Sequence, residues 1–155
     1  MSSNTARAAR LVVLAGLVGA TCDITYAILY YGWRGIPAER ILQTVASGLL
    51  GKASYDGGWP TAALGLACHY AIVIAAAAVF YAVARRWAWL RHEPVATGLA
   101  FGVAIYAFMN FVVLPLSAYP YPLRFPLLTT ATGLLAHMLV GLSIALITRR
   151  AHPAA

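Results

Sequence analysis

Four separate apolar runs, at about 11–31, 61–84, 95–117 and 127–148, each hold twenty or more residues and almost no formal charge. A run of that length, wound at ~1.5 Å per residue, crosses a hydrocarbon core of ~30 Å. A soluble core helix has no need of such length, and only closed helices or barrels satisfy their backbone groups in lipid. The runs therefore predict an all-α integral membrane protein, a four-transmembrane-helix up-down bundle forming one domain over 1–155. Composition agrees, since 62% of the 155 residues are apolar and 10% are charged, where a soluble domain averages roughly 25% charged. The net charge of +7 is then better read as arginines facing anionic headgroups than as a nucleic-acid surface.

Tryptophan and arginine fix the frame. Trp33, Trp59, Trp87 and Trp89 fall just outside the run ends, where an indole keeps its ring in the boundary and its N–H wet. Arg7, Arg10, Arg85, Arg86, Arg91, Arg149 and Arg150 share one side, against Arg34, Arg40, Lys52 and Arg124 on the other. The positive-inside bias places the seven in the cytoplasm, so both termini are expected inside a bacterial inner membrane. Arg7 and Arg10 ahead of an apolar stretch and Cys22 resemble an export signal. However, Gly19 stands where a lipidation box has leucine, and the run continues to Tyr31; a retained span is expected.

In the first outer connection Ile41, Leu42, Val45, Leu49 and Leu50 recur at helical spacing, with Pro37 before them and Gly51 after. That pattern predicts an amphipathic helix over about 37–50 that caps the bundle or lies in the headgroup layer. Asp56-Gly57-Gly58 predicts a turn into the second run. Pro115, Pro120, Pro122 and Pro126 make the second outer connection stiff.

Strongly polar side chains inside spans are expensive and are default candidates for function. There is one in each run: Asp23, His69, Asn110 and His137. Counted from the outer ends, all four lie at depths of roughly 10–15 Å. Their helix faces carry glycines, namely Gly16 and Gly19, Gly65, Gly98 and Gly102, and Gly133 and Gly141, so they should point into the bundle. Tyr106 lies one turn from Asn110, while Tyr26 and Tyr30 add hydroxyls on the outward path from Asp23. Gly65-Leu66 with His69 matches Gly133-Leu134 with His137, with Thr61 and Thr129 in register, which hints at a duplicated helix pair.

Such a layer has a plain reading, as interhelical hydrogen-bonding glue. A carboxylate and two imidazoles at one depth point further, to a proton relay or a divalent-metal site of Asp23, His69 and His137 with Asn110 orienting a ligand, and so to ion binding or transport. An alternative is a b-type haem between His69 and His137, with Lys52 or Arg124 near its propionates. Another is a structural or accessory subunit that self-associates or packs into a larger membrane complex. Cys22 and Cys68 form no Cys-x-x-Cys pair and read as small buried hydrophobes. No phosphate loop, serine-nucleophile motif or paired acids are present, so neither a hydrolase nor a kinase is expected, and the balance on enzymatic activity of any kind leans against it without deciding it.

The stretch Ile41-Leu42-Gln43 through Ala46-Ser47-Gly48-Leu49-Leu50-Gly51, then Gly57-Gly58, Leu64-Gly65-Leu66 and His69, followed by Met109-Asn110-Phe111-Val112-Val113-Leu114-Pro115-Leu116-Ser117 and His137, resembles a widespread uncharacterised family of small four-helix bacterial inner-membrane proteins. The resemblance covers most of the chain. It implies location and architecture and carries no activity.

Overall fold

The computed structural model describes residues 3–151, which form helices and connecting turns with no strand among them. Helix α1 (Ser3–Trp33) is followed by α2 (Ala38–Leu50), a 3-10 turn (Gly51–Tyr55), α3 (Gly58–Arg86) and the short α4 (Trp89–His92). Then come α5 (Pro94–Phe108), a π-helical turn (Met109–Val113), α6 (Leu114–Leu116) and α7 (Leu127–Thr148). Four helices are long and apolar enough to cross a membrane: Asn4–Trp33, Gly58–Arg86, Pro94–Leu116 and Leu127–Ala151. They cover the four apolar runs, and α1 and α3 continue past them at the arginine-rich end. All four tryptophans sit exposed at helix ends.

The amphipathic segment is a helix and takes the capping role. Ile41, Leu42, Gln43, Ala46 and Ser47 form its buried face, and it lies along α3. Its entry and exit follow local chemistry. Pro37 has the extended backbone of an N-cap, and Gly51 ends the helix at φ 59°, a left-handed value that favours glycine. Gly58 repeats that device at the start of α3, also at φ 59°. Gln43 Nε2 donates to the Gly58 carbonyl at 3.1 Å, and the Thr61 hydroxyl donates to the Ser54 carbonyl at 2.6 Å. The turn predicted from Asp56-Gly57-Gly58 is thereby tied to both helices. The proline-rich connection runs back over α2, where Ala118 N–H donates to the Gly48 carbonyl at 2.9 Å and Tyr121 packs on Tyr55 and Tyr119. Burial, and then the neighbouring phenols Tyr55 and Tyr121, push the Tyr119 phenol up, so it stays a neutral hydroxyl.

The long helices pack in sequence across the bundle: α5 on α7, α7 on α1, α1 on α3, and α3 on α2. Glycines set the closest approaches. A Cβ on Gly102 would lie 2.5 Å from Met138 Cα, one on Gly98 2.8 Å from Leu142 Cα, and one on Gly141 2.7 Å from Gly102 Cα. A Cβ on Gly16 would meet Ile74 Cα at 2.5 Å, and one on Gly65 would overlap the Leu42 carbonyl. At Gly65 and Gly141 the small residue serves close approach of two backbones rather than room for a bound group. The reason is that helices without bulky knobs gain most by direct backbone contact.

Two apolar clusters result. One, toward the arginine-rich end, joins Val12, Ala15, Val73, Ala77, Phe80, Val140 and Ile144; the other, toward α2, joins Ile24, Leu42 and Ala62. Because the α5 to α7 seam is backbone on backbone, Gly102→Ala should loosen it by about 1–3 kcal/mol. In detergent its melting temperature is expected to fall. Gly32→Ala, where a Cβ meets nothing within 4 Å, should leave melting unchanged or slightly raised.

Candidate functional site

The two apolar clusters leave a gap at one level of the bundle. On α1 the change comes between Ala20 and Ile24, on α3 between Leu66 and Val73, and on α7 just before Val140. Asp23, His69 and His137 occupy that level. His137 Nδ1 is 3.5 Å from Asp23 Oδ1, and His69 Nε2 is 4.0 Å from Asp23 Oδ2. One carboxylate is flanked by two imidazoles, each within ion-pair reach of a different oxygen. Side-chain exposures of 17% for Asp23, 11% for His69 and 21% for His137 leave the group shielded without sealing it.

The state of the two facing nitrogens follows from their other contacts. His69 Nε2 lies 3.0 Å from the Ala20 carbonyl on α1, and His137 Nδ1 lies 3.0 Å from the Gly133 carbonyl one turn back on its own helix. A carbonyl oxygen only accepts, so each nitrogen must carry a hydrogen. Each hydrogen goes to its carbonyl, so both imidazoles stand beside the Asp23 carboxylate within ion-pair reach without giving it a hydrogen bond. Those hydrogens occupy the lone-pair positions through which either nitrogen would ligate a metal. Among the described residues no three His, Cys, Asp or Glu side chains are disposed to hold a metal ion.

Asn110 does not join them. It sits in the π-helical turn, and its amide donates to the Tyr106 carbonyl at 2.9 Å on its own helix. Of the four residues expected in one layer, the structure brings Asp23, His69 and His137 within ion-pair reach and gives Asn110 its hydrogen bond elsewhere. Asn readily satisfies itself on nearby backbone, and equal depth along a helix does not prescribe where its amide turns. Tyr106 reaches the site instead, its ring edge-on to His137 at 5.3 Å between centroids. A Cβ on Gly133 would meet Tyr106 Cε2 at 3.5 Å, an ordinary van der Waals contact, so the ring has room here whether or not the position is glycine. The suggested duplication does not extend to roles. His69 bonds across to α1 through Nε2 while His137 bonds within α7 through Nδ1, and Thr61 serves the α2 turn while Thr129 faces Tyr30.

From the trio toward the Arg34 end runs a set of hydroxyl pairs between α1 and α7. Tyr26 donates to Thr132 at 2.8 Å, Tyr30 pairs with Thr129 at 3.0 Å, and Arg34 reaches Thr129 at 3.4 Å while lying over the Tyr30 ring. Tyr26 and Tyr30 themselves stack at 5.4 Å. Sequence reasoning found the tyrosines and missed Thr129, Thr132 and Arg34 as their partners. The available signal was the Thr129-Thr130-x-Thr132 run at the start of the last helix. Toward the other end the trio meets the Val12, Val73, Phe80, Val140 and Ile144 cluster, beside which Thr21 of α1 and Tyr70 of α3 pair their hydroxyls at 2.8 Å. Cys22 is exposed and Cys68 partly exposed, so Cys22 is not the buried hydrophobe expected.

No family model, curated protein or solved structure matches the chain.

Tyr26→Phe removes one interhelical hydrogen bond at a shielded position. It should lower stability by about 0.6–1.7 kcal/mol, measured as reversible unfolding in mixed micelles, with Thr132→Val giving a similar loss. A double variant no worse than either single one is the expected sign of a shared contact.

Proposed function

We propose that this chain is a multi-pass protein of the bacterial inner membrane, with both termini on the cytoplasmic side, and that Asp23, His69 and His137 form its proton-binding centre. Four long apolar helices, tryptophans at their ends and seven arginines collected at one end support the membrane reading. Membership of the small four-helix inner-membrane family belongs to the same proposal.

The observation that carries the proton reading is one carboxylate flanked by two imidazoles from different helices, at 3.5 and 4.0 Å. With both histidines neutral the trio has a charge of −1; one added proton, on either ring, makes it neutral as a set. A neutral set costs least where water is scarce. The hydroxyl pairs from Tyr26 to Arg34 give protons an approach from one side, where the other side holds the Thr21–Tyr70 pair beside the larger apolar cluster. The longer run of hydroxyls favours access from the Arg34 side.

Metal and haem fit the same residues less well. Either would need a bare ring nitrogen on each histidine, and the nitrogens aimed into the shared space are committed as donors to Ala20 and Gly133. In the haem arrangement Asp23 would also stand between the two axial ligands.

Infrared difference spectra of the reconstituted protein between about pH 5 and 8, the range in which imidazole changes charge, test the proposal. Histidine ring bands are expected in the wild type and should be displaced in Asp23→Asn. His69→Gln and His137→Gln should each remove part of the signal. Spectra indifferent to the Asp23 substitution would leave the trio as interhelical glue and end the proton reading. Resistance to alkaline carbonate extraction checks the membrane assignment separately.

A further inference from the structure

At the arginine-rich end the ends of α1, α3 and α4 enclose a cleft of about 660 Å3, a size that ordinarily takes a small molecule. Arg7 from α1, Arg85 from α3 and Arg91 from α4 line it, with Ala8, Val12 and Ala78 beneath them. Of the seven arginines at this end these three share one concavity, and the only acidic side chain at the same end is Glu93.

Polarity in the cleft is graded along the helix axes. Helices α1 and α3 run antiparallel, so Arg7 and Arg85 come at one level. Val12 lies five residues deeper on α1 and Ala78 seven residues deeper on α3, or roughly 7–10 Å at the helical rise. A basic rim therefore stands over an apolar floor. A free phosphate ion would use the rim alone, whereas a phosphate ester attached to hydrocarbon would use both. Arginine suits the phosphate by its planar fork of donors, and basic pockets between helix ends are a recognised seat for anionic headgroups.

We infer that this cleft binds an anionic phospholipid, its phosphate held by Arg7, Arg85 and Arg91 and its chain start lying on Val12 and Ala78. The inference rests on the membrane reading of the helices and is independent of the Asp23 trio. The site would tie α1, α3 and α4 together through one headgroup and anchor the bundle at a fixed depth.

Titration of the purified full chain in a non-ionic detergent, followed by native mass spectrometry, tests it with three probes: dioctanoyl phosphatidylglycerol, dioctanoyl phosphatidylcholine and inorganic phosphate. The glycerol lipid should bind at least tenfold tighter than either of the others. The combined variant Arg7→Gln, Arg85→Gln and Arg91→Gln should lose at least tenfold, while Arg149→Gln with Arg150→Gln, outside the cleft, should retain wild-type affinity. Inorganic phosphate binding as tightly as the glycerol lipid would reassign the site to free anions. Equal loss in the two variants, or no loss in the first, would overturn it. Should the triple variant fail to fold by circular dichroism, a photoactivatable phosphatidylglycerol on the wild type decides the matter. Label in the peptides containing residues 7–12 and 78–91 is expected, and label confined elsewhere refutes the site. Release of the chain from membranes by alkaline carbonate would overturn the membrane reading itself, a result distinct from all of these.

Discussion

An aspartate on a mostly apolar helix needs polar neighbours, and where Asp23 meets them governs how three helices are turned. Its oxygens face His69 on α3 and His137 on α7, so α1 has to lie between those two with this one face inward. The glycines make that closeness attainable. Gly16 brings α1 against Ile74 of α3, and Gly19 sits between Val73 and Val140. A bulky residue at either position would separate the carboxylate from an imidazole. Packing and polar chemistry thus specify the same helix rotations, which is the mutual consistency expected of a foldable sequence.

The apolar clusters on either side do more than hold the helices. By ending at Ala20 on α1 and at Val73 and Val140 on the partners, the larger one forms an apolar floor under the trio. The smaller one, with Ile24, Leu42 and Ala62, leaves the α1 to α7 side open to the tyrosine and threonine hydroxyls. Thr21 with Tyr70 and His69 with Ala20 tie α1 to α3, and α2 closes the opposite flank with its own hydrogen bonds to the α3 turn.

Much of this was legible in the sequence because hydropathy, tryptophan position and arginine count are one-dimensional signals. Equal depth brought Asp23, His69 and His137 together correctly. The same rule failed for Asn110, since the backbone turns π-helical at Met109–Val113, ahead of Pro115, and the amide bonds its own helix. Proline has no N–H to continue an α ladder, so an irregular turn before it has a local cause. Gly65 was legible as a small residue but not as the seat of the Leu42 carbonyl, because a glycine reads the same whether it leaves space for a ligand or for a helix. Gln43, buried and bonded to Gly58, gave no signal on a helix judged by its leucines.

The seam between α5 and α7 has a mechanical consequence. Gly98 and Gly102 meet Gly141 backbone to backbone, with Ala145 Cβ against Gly98 and with Phe101 and Ile105 packed on the cluster that holds Val140 and Ile144. The helix beyond it carries Tyr106, whose ring covers one edge of His137. The register of that seam therefore sets how far the phenol ring slides over the imidazole, so a substitution at a glycine far from the carboxylate would still shift the cover on its neighbour.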